Sequence, residues 1–175
     1  MKNKPILIVA GEPFSIFFEI FFKSIKKKTY KSPIILICCK KNLIAQMKKF
    51  NFNKKIRLLN EKQLNKKKIN NNQINLIDIK LHNSKIKKLK LKLKLNYIKK
   101  CFNLAFQLIK NGYTDKLING PINKKTFLNK KFLGITEYIA SRFNEKKFGM
   151  LIYNKRLSVS PLTTHLPLKL VSKKV

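Results

Sequence analysis

Near the start of the chain, apolar residues come in short blocks separated by turn formers. Pro5 to Ala10 is an apolar run ended by Gly11-Glu12-Pro13, which predicts a buried strand running into a turn. Ile16 to Ile25 is apolar on more than one face, with Ser15 placed to cap it, and predicts a helix. Pro33 to Cys39 predicts a second buried strand. Asn42 to Phe50 carries Leu43, Met47 and Phe50 at helical spacing and predicts a second helix. Strand, helix, strand, helix is the order of a parallel sheet with helices packed on it.

The pattern is weaker in the middle. Arg57 to Leu59 predicts a short strand, Asn60 to Asn75 a surface loop rich in Lys and Asn, and Ile74 to Leu81 a strand. Leu89, Leu91, Leu93 and Leu95 alternate strictly with polar residues, so Ser84 to Leu95 reads as a very basic amphipathic strand. From Tyr97 the period becomes helical, with Ile98, Cys101, Phe102, Ala105, Leu108 and Ile109 on one face and Gly112 where a C-cap glycine belongs. Lys116 to Ile118 predicts a strand leading into the Gly120-Pro121 turn. Thr136 to Phe143 predicts a helix with Ile139 and Phe143 inward, and Gly149 to Tyr153 and Leu157 to Val159 predict two more strands. The fold class is α/β, a mostly parallel sheet flanked by helices. No repeat or internal boundary divides the chain, so residues 1–175 read as one domain.

Composition changes this picture in one respect. The 175 residues are 44% apolar, ordinary for a globular protein, but the formal charge is +34. Such a charge suits a binder of nucleic acid or anionic membrane. It also suits codon bias: Lys, Asn and Ile abound, Trp is absent, and only Arg57, Arg142 and Arg156 are arginine. Readers of nucleic acid favour the arginine fork. We therefore read the excess as compositional, with non-specific nucleic-acid binding as its consequence. Cys38, Cys39 and Cys101 are an odd count without a C-x-x-C pair and read as reduced, buried thiols of a cytoplasmic protein. The apolar run at the N-terminus is too short for a membrane span, and no membrane partner is expected.

Four motifs can carry chemistry. Gly120-Pro121-Ile122-Asn123-Lys124 follows a predicted strand, and ligands of open α/β sheets bind at strand carboxyl ends, where Lys124 could meet a phosphate or carboxylate. Thr163-Thr164-His165-Leu166-Pro167-Leu168 sets one of two histidines between hydroxyls and a stiff apolar stretch; a neutral imidazole is a common metal ligand. Gly134-Ile135-Thr136-Glu137 offers a hydroxyl at Thr136. Gly11-Glu12-Pro13 places one of only seven acidic residues after the first strand, as a polar anchor or a simple turn residue. His82 has no such context and reads as a surface residue.

Together and in this order, the motifs resemble those of the 4-hydroxythreonine-4-phosphate dehydrogenase family of vitamin B6 biosynthesis. That family carries G-D/E-P, G-P-x-x-K, G-H-T-E and T-T-H-L-P-L. The resemblance implies an isocitrate/isopropylmalate-dehydrogenase-like fold. It also implies NAD-dependent oxidation of 4-phosphohydroxythreonine, with a divalent metal (Zn, Mg or Co) held by three histidines. His165 matches the first metal histidine. Thr136 and Ile135 match the substrate-contacting pair, with Ile135 replacing an imidazole and unable to carry a proton. The resemblance identifies no catalytic or NAD-binding residue here. It implies an N-terminal half, a partial domain whose other metal ligands and NAD-binding segment lie beyond Val175, and therefore a truncated protein inactive alone. The expected partners are a small phosphorylated substrate and either a second copy, as in the family's dimers, or a complementing C-terminal half.

Overall fold

The computed structural model describes residues 3–61, 64, 69–81, 91–129, 131–163 and 167–173. They group into two compact units, Met1–Asn123 and Lys124–Val175.

The first unit is a five-stranded sheet in the order β3-β4-β2-β1-β5. Its strands are β1 (Ile6–Val9), β2 (Ile34–Cys38), β3 (Ile56–Leu58), β4 (Ile74–Asp78) and β5 (Lys116–Asn119). Every pairing is parallel, with Ile6 opposite both Ile34 and Lys116, and Leu36 opposite Leu76. A parallel sheet covered on both faces needs nearly continuous apolar strands, and β1, β2 and β4 supply them.

Three helices cover the sheet: α1 (Phe17–Lys27), α2 (Lys40–Lys49) and α3 (Leu91–Lys110). On one face, Ile8, Ala10, Leu36, Cys38 and Leu76 pack with Phe17, Phe18, Phe21 and Phe22 of α1 and Leu43 of α2. Met47 and Phe50 join the same cluster, at the helical spacing read from the sequence. The alternate strand residues point to the other face, and α3 contacts β1 and β2. Burying each such Phe or Leu contributes about 1.5–3 kcal/mol.

The helix ends follow the local chemistry. The N-cap of α1 is Ile16, which makes no side-chain cap bond, so the cap expected at Ser15 falls one residue early; Ser15 Oγ still accepts a hydrogen bond from Phe17 N–H at 3.3 Å at the entry to the helix. Gly112, at φ 73°, closes α3 by donating to the Ile109 carbonyl at 2.9 Å.

Two expectations need correction. Leu91 to Leu95 is not a strand: it forms the first turns of α3, and residues 82–90 lie outside the described residues. A solvated strand there would have gained little, whereas the helical period that buries Tyr97 and Ile98 extends backwards by a turn at low cost. The segment 60–75 is not simply a solvated loop either. Leu64 is buried, and the Asn71 side chain accepts from Ile34 N–H at 2.8 Å and donates to the Tyr30 and Ser32 carbonyls at 2.9 Å.

The second unit contains α4 (Lys124–Phe127), α5 (Ile135–Arg142) and a 3-10 helix at Leu168–Lys173. Tyr138 meets both Phe127 and Phe132 edge-on, with ring centroids 5.3 and 5.5 Å away. Ala140, rather than Ile139 or Phe143, is the buried residue of α5. The two strands predicted between 149 and 159 reduce to a single antiparallel bridge, Ile152 with Val159.

Among the described residues no helix is long and apolar enough to cross a membrane. Cys38, Cys39 and Cys101 are buried free thiols. Burial pushes the Cys101 thiol up to about 12 and holds Cys38 well above its usual value. The folded state thus keeps these protons to higher pH than the unfolded chain. Their contribution to stability is intact below about pH 8.5, the ordinary thiol value, and is lost as pH rises towards the folded values. An aromatic disulfide reagent at pH 8 should label these two thiols only as fast as the fold opens, and at once in denaturant. Immediate labelling of the native protein would contradict their burial.

Candidate active site

Strand order locates the crevice. From β1 the chain moves through α1, on one face, to β2. From β4 it returns through α3, on the other face, to β5 on the far side of β1. The direction of winding therefore reverses between β1 and β5, and open α/β sheets form ligand sites at the carboxyl ends of the strands at such a point. The loops in that position are 10–13 after β1 and 120–123 after β5, which hold two of the four motifs.

The two loops are in close contact. Gly120 N–H donates to the Val9 carbonyl at 2.7 Å, and Glu12 N–H donates to the Pro121 carbonyl at 2.9 Å. Gly11 sits at φ 76°, and a Cβ there would lie 3.0 Å from the Gly120 carbonyl carbon and closer still to the Pro121 oxygen. A Cβ at Gly120 would meet the Ala10 carbonyl carbon at 2.7 Å and the Phe17 ring at 2.8 Å. The glycines of both motifs are thus explained by backbone approach rather than by solvent-exposed turning.

Glu12 is the anchor of this junction. Its Oε1 accepts from Asn123 N–H at 3.3 Å, its Oε2 pairs with Lys94 Nζ of α3, and its backbone carbonyl accepts from Ser15 Oγ at 2.9 Å. One side chain therefore ties the β1 loop to the β5 loop and to the first turns of α3. Both carboxylate oxygens are engaged, so Glu12 braces the crevice rather than offering a free base. Its side chain is 14% exposed, and that of Lys94 is 29% exposed. Glu12→Ala should cost about 1–3 kcal/mol, since it leaves a half-buried lysine and a backbone N–H without this partner. Glu12→Gln should retain part of that. Paired thermal melts of the two variants check the order, and equal losses would argue against the Lys94 pairing.

The rest of the carboxyl edge is fixed in the same way. Asn42 is buried in α2 and donates to the Pro13 carbonyl at 2.6 Å. Cys39 N–H donates to the Tyr97 hydroxyl at 2.9 Å, and Lys40 N–H, at the start of α2, donates to Asp78 Oδ1 at 2.8 Å. Burial raises the Tyr97 phenol well above its usual range, so it stays neutral and structural. Lys94, Asn42, Tyr97 and Asp78 were not singled out in the sequence. Asp78 had a signal, as a scarce acid at the end of an apolar strand. Lys94 had none among 41 lysines and arginines.

The other motif residues fall in the second unit. Lys124 is the exposed first residue of α4. Ile135 and Thr136 open α5 and are half-buried. Gly134 precedes them in extended conformation, and a Cβ there would lie 2.7 Å from Glu137 Oε2, so the Glu137 carboxylate sits over the amino end of α5, where its charge is favourable. His165 and His82 lie outside the described residues. Among the described residues no group of three His, Cys, Asp or Glu could hold a metal.

A family model described as pyridoxal phosphate biosynthetic protein PdxA matches residues 30–175. The chain is 34% identical over 83 residues to a 4-hydroxythreonine-4-phosphate dehydrogenase of Colwellia psychrerythraea, a match covering 46% of this chain and 25% of that one. It is 36% identical over 70 residues to the same enzyme of Acidithiobacillus ferrooxidans, covering 39% and 21%. Crystal structures of 4-hydroxythreonine-4-phosphate dehydrogenases superimpose on nearly the whole chain. For Klebsiella pneumoniae the TM-score is 0.79 at 21% identity, over 98% of this chain and 53% of that one. For Burkholderia phymatum it is 0.79 at 20% identity, over 99% and 53%. At these identities the likeness shows the fold alone. The chain spans about half the length of the solved relatives.

Proposed function

The chain belongs to the PdxA family of pyridoxal phosphate biosynthetic proteins, and we propose that it supplies the N-terminal half of a 4-hydroxythreonine-4-phosphate dehydrogenase. In this reading it is an oxidoreductase component that acts on a small phosphorylated hydroxy acid. The observation that carries it is the family match over 30–175, a span that includes Gly120-Pro121, Thr136 and His165. The β1/β5 crevice supports it, because it stands where ligands of such sheets bind.

Lys124 provides a cation for the substrate phosphate, and the Thr136 hydroxyl a hydrogen bond to the substrate. Ile135 removes the proton-carrying group that the family places beside that hydroxyl. The substrate contact made by that imidazole in the family is therefore absent at this position or falls to another group. Glu12 and Lys94 hold the crevice loops in place.

The family's cofactors, NAD and a divalent metal, are part of the proposal. The described residues do not form a metal site, and one imidazole at His165 would supply a single ligand where catalytic sites commonly use three. The missing ligands then come from a second polypeptide segment. Resemblance carries the further expectations of a dimer and a cytoplasmic location. Nucleic acid should bind only non-specifically, through the +34 charge and with a steep salt dependence.

The test is NADH absorbance with 4-phosphohydroxythreonine, NAD and Mg²⁺ or Zn²⁺. The chain alone should give no turnover. Joined to the part of the Klebsiella pneumoniae relative that this chain does not match, it should turn over, and His165→Ala should lower that rate by at least about 100-fold. Robust turnover by the 175-residue chain alone would overturn the half-enzyme reading. Unchanged activity of His165→Ala in the joined protein would remove His165 from the site.

A further inference from the structure

Between Asn144 and Ser160 the second unit leaves its apolar side chains uncovered. Every residue from Asn144 to Ser160 is exposed. Leu151, Ile152, Tyr153, Leu157, Val159 and Leu162 are between 47% and 87% exposed. The backbone here is a hairpin closed by one residue pair, with Ile152 and Val159 exchanging hydrogen bonds at 2.8 and 2.9 Å. A two-stranded hairpin of that size is marginal in water by itself.

The side-chain pattern indicates what the hairpin lacks. Successive strand residues point to opposite faces. Leu151 and Tyr153 therefore share one face, and Ile152, between them, lies on the other. An outer strand with one wet face alternates apolar and polar, as 157–160 does with Leu157 and Val159 against Ser158 and Ser160; the arm at 150–153 is instead apolar on both sides. That is the composition of a strand inside a sheet covered from above and below.

Charge and length narrow the occupant. Residues 124–175 carry twelve Lys and Arg against two Glu. Pairing this face with the same face of a second copy would bring like charge onto like charge. The solved relatives, matched over almost all of this chain but only 53% of their own, possess a further half that this chain does not match. We propose that the hairpin at 150–160 is the docking surface for a polypeptide equivalent to that unmatched half. The partner pairs with the 150–153 arm of the hairpin, covers both faces of that arm, and has fewer positive charges than this chain. The occupant's identity rests on the half-enzyme reading; the need for a non-identical cover rests on the exposed residues and their charge.

Hydrogen–deuterium exchange on the full chain, alone and joined to the unmatched part of the Klebsiella pneumoniae relative, tests this. Alone, the amides of 150–160 should exchange like unstructured chain, and the protein should bind a hydrophobic dye. In the joined protein those amides should slow by at least about 100-fold and dye binding should fall. Ile152→Lys with Tyr153→Lys should abolish that protection while leaving exchange in β1 and β2 unchanged, which separates failed docking from failed folding. Unprotected amides in the joined protein would overturn the proposal. So would a stable dimer of the isolated chain that the same double variant dissociates, since a second copy would then be the occupant. Protection without NADH formation would sink the half-enzyme reading and leave the docking surface standing.

Discussion

Gly120→Ala should prevent the first unit from folding. The added methyl has no direction in which to move. It would meet the Ala10 carbonyl, with the carbon at 2.7 Å, and the Phe17 ring at 2.8 Å, and that ring is itself buried in the core. Relief requires β5 to separate from β1, which breaks the 2.7 Å hydrogen bond from Gly120 N–H to Val9. The expected loss exceeds about 4 kcal/mol, among the largest that single substitutions give. Gly11→Ala should come next, because it combines a left-handed backbone, costing about 1–2 kcal/mol, with the approach of the Pro121 oxygen. Gly149→Ala, where nothing lies within 4 Å, should change stability by less than about 0.5 kcal/mol. Denaturant melts of the three variants check the ranking. A Gly120→Ala protein as stable as Gly149→Ala would mean that the two loops do not approach as described.

Phe18→Ala should be nearly as damaging, for a different reason. Phe18 is 1% exposed and belongs to the cluster shared by α1, α2, β1, β2 and β4. Its ring meets Phe17 edge-on at 5.3 Å and Phe22 at 6.0 Å. Removing it forfeits the transfer energy of the ring and opens a cavity between helix and sheet, a loss of about 3–5 kcal/mol. Phe18→Leu refills most of the space and should recover more than half. The comparison is the midpoint of thermal unfolding, which should fall by roughly 10 °C or more for the alanine variant. A fall of only a degree or two would mean that α1 is not seated on the sheet at this position.

The elements of the first unit were readable where burial and period agree. β1, β2, α1 and α2 fall on the expected stretches because apolar spacing and turn residues give the same answer there. The neighbour relations were not readable. Periodicity states that a segment is a strand, and cannot state that β4 inserts between β3 and β2. The first turns of α3 were misread because four alternating leucines imitate a strand, and the competing signal, the helical face beginning at Tyr97, lies downstream. At the crevice, Glu12 was visible as a candidate anchor because acids are rare in this chain. Its partner Lys94 was hidden among chemically identical neighbours, and only the fold distinguishes it.

β1 is the second strand from one end of the sheet, yet its partner on that side arrives last. The Thr114 hydroxyl bonds the Pro5 carbonyl across a separation of 109 residues, and β5 follows directly. During synthesis on a ribosome at about 5–20 residues per second, one side of β1 therefore waits roughly 5 to 20 s for its neighbour. Throughout that interval the nascent chain presents an unpaired, apolar strand edge of the kind that captures other chains. The expected consequence is that aggregation during translation lowers yield even where the finished sheet is stable. Slower synthesis should worsen it, and a chaperone that holds the first forty residues should relieve it.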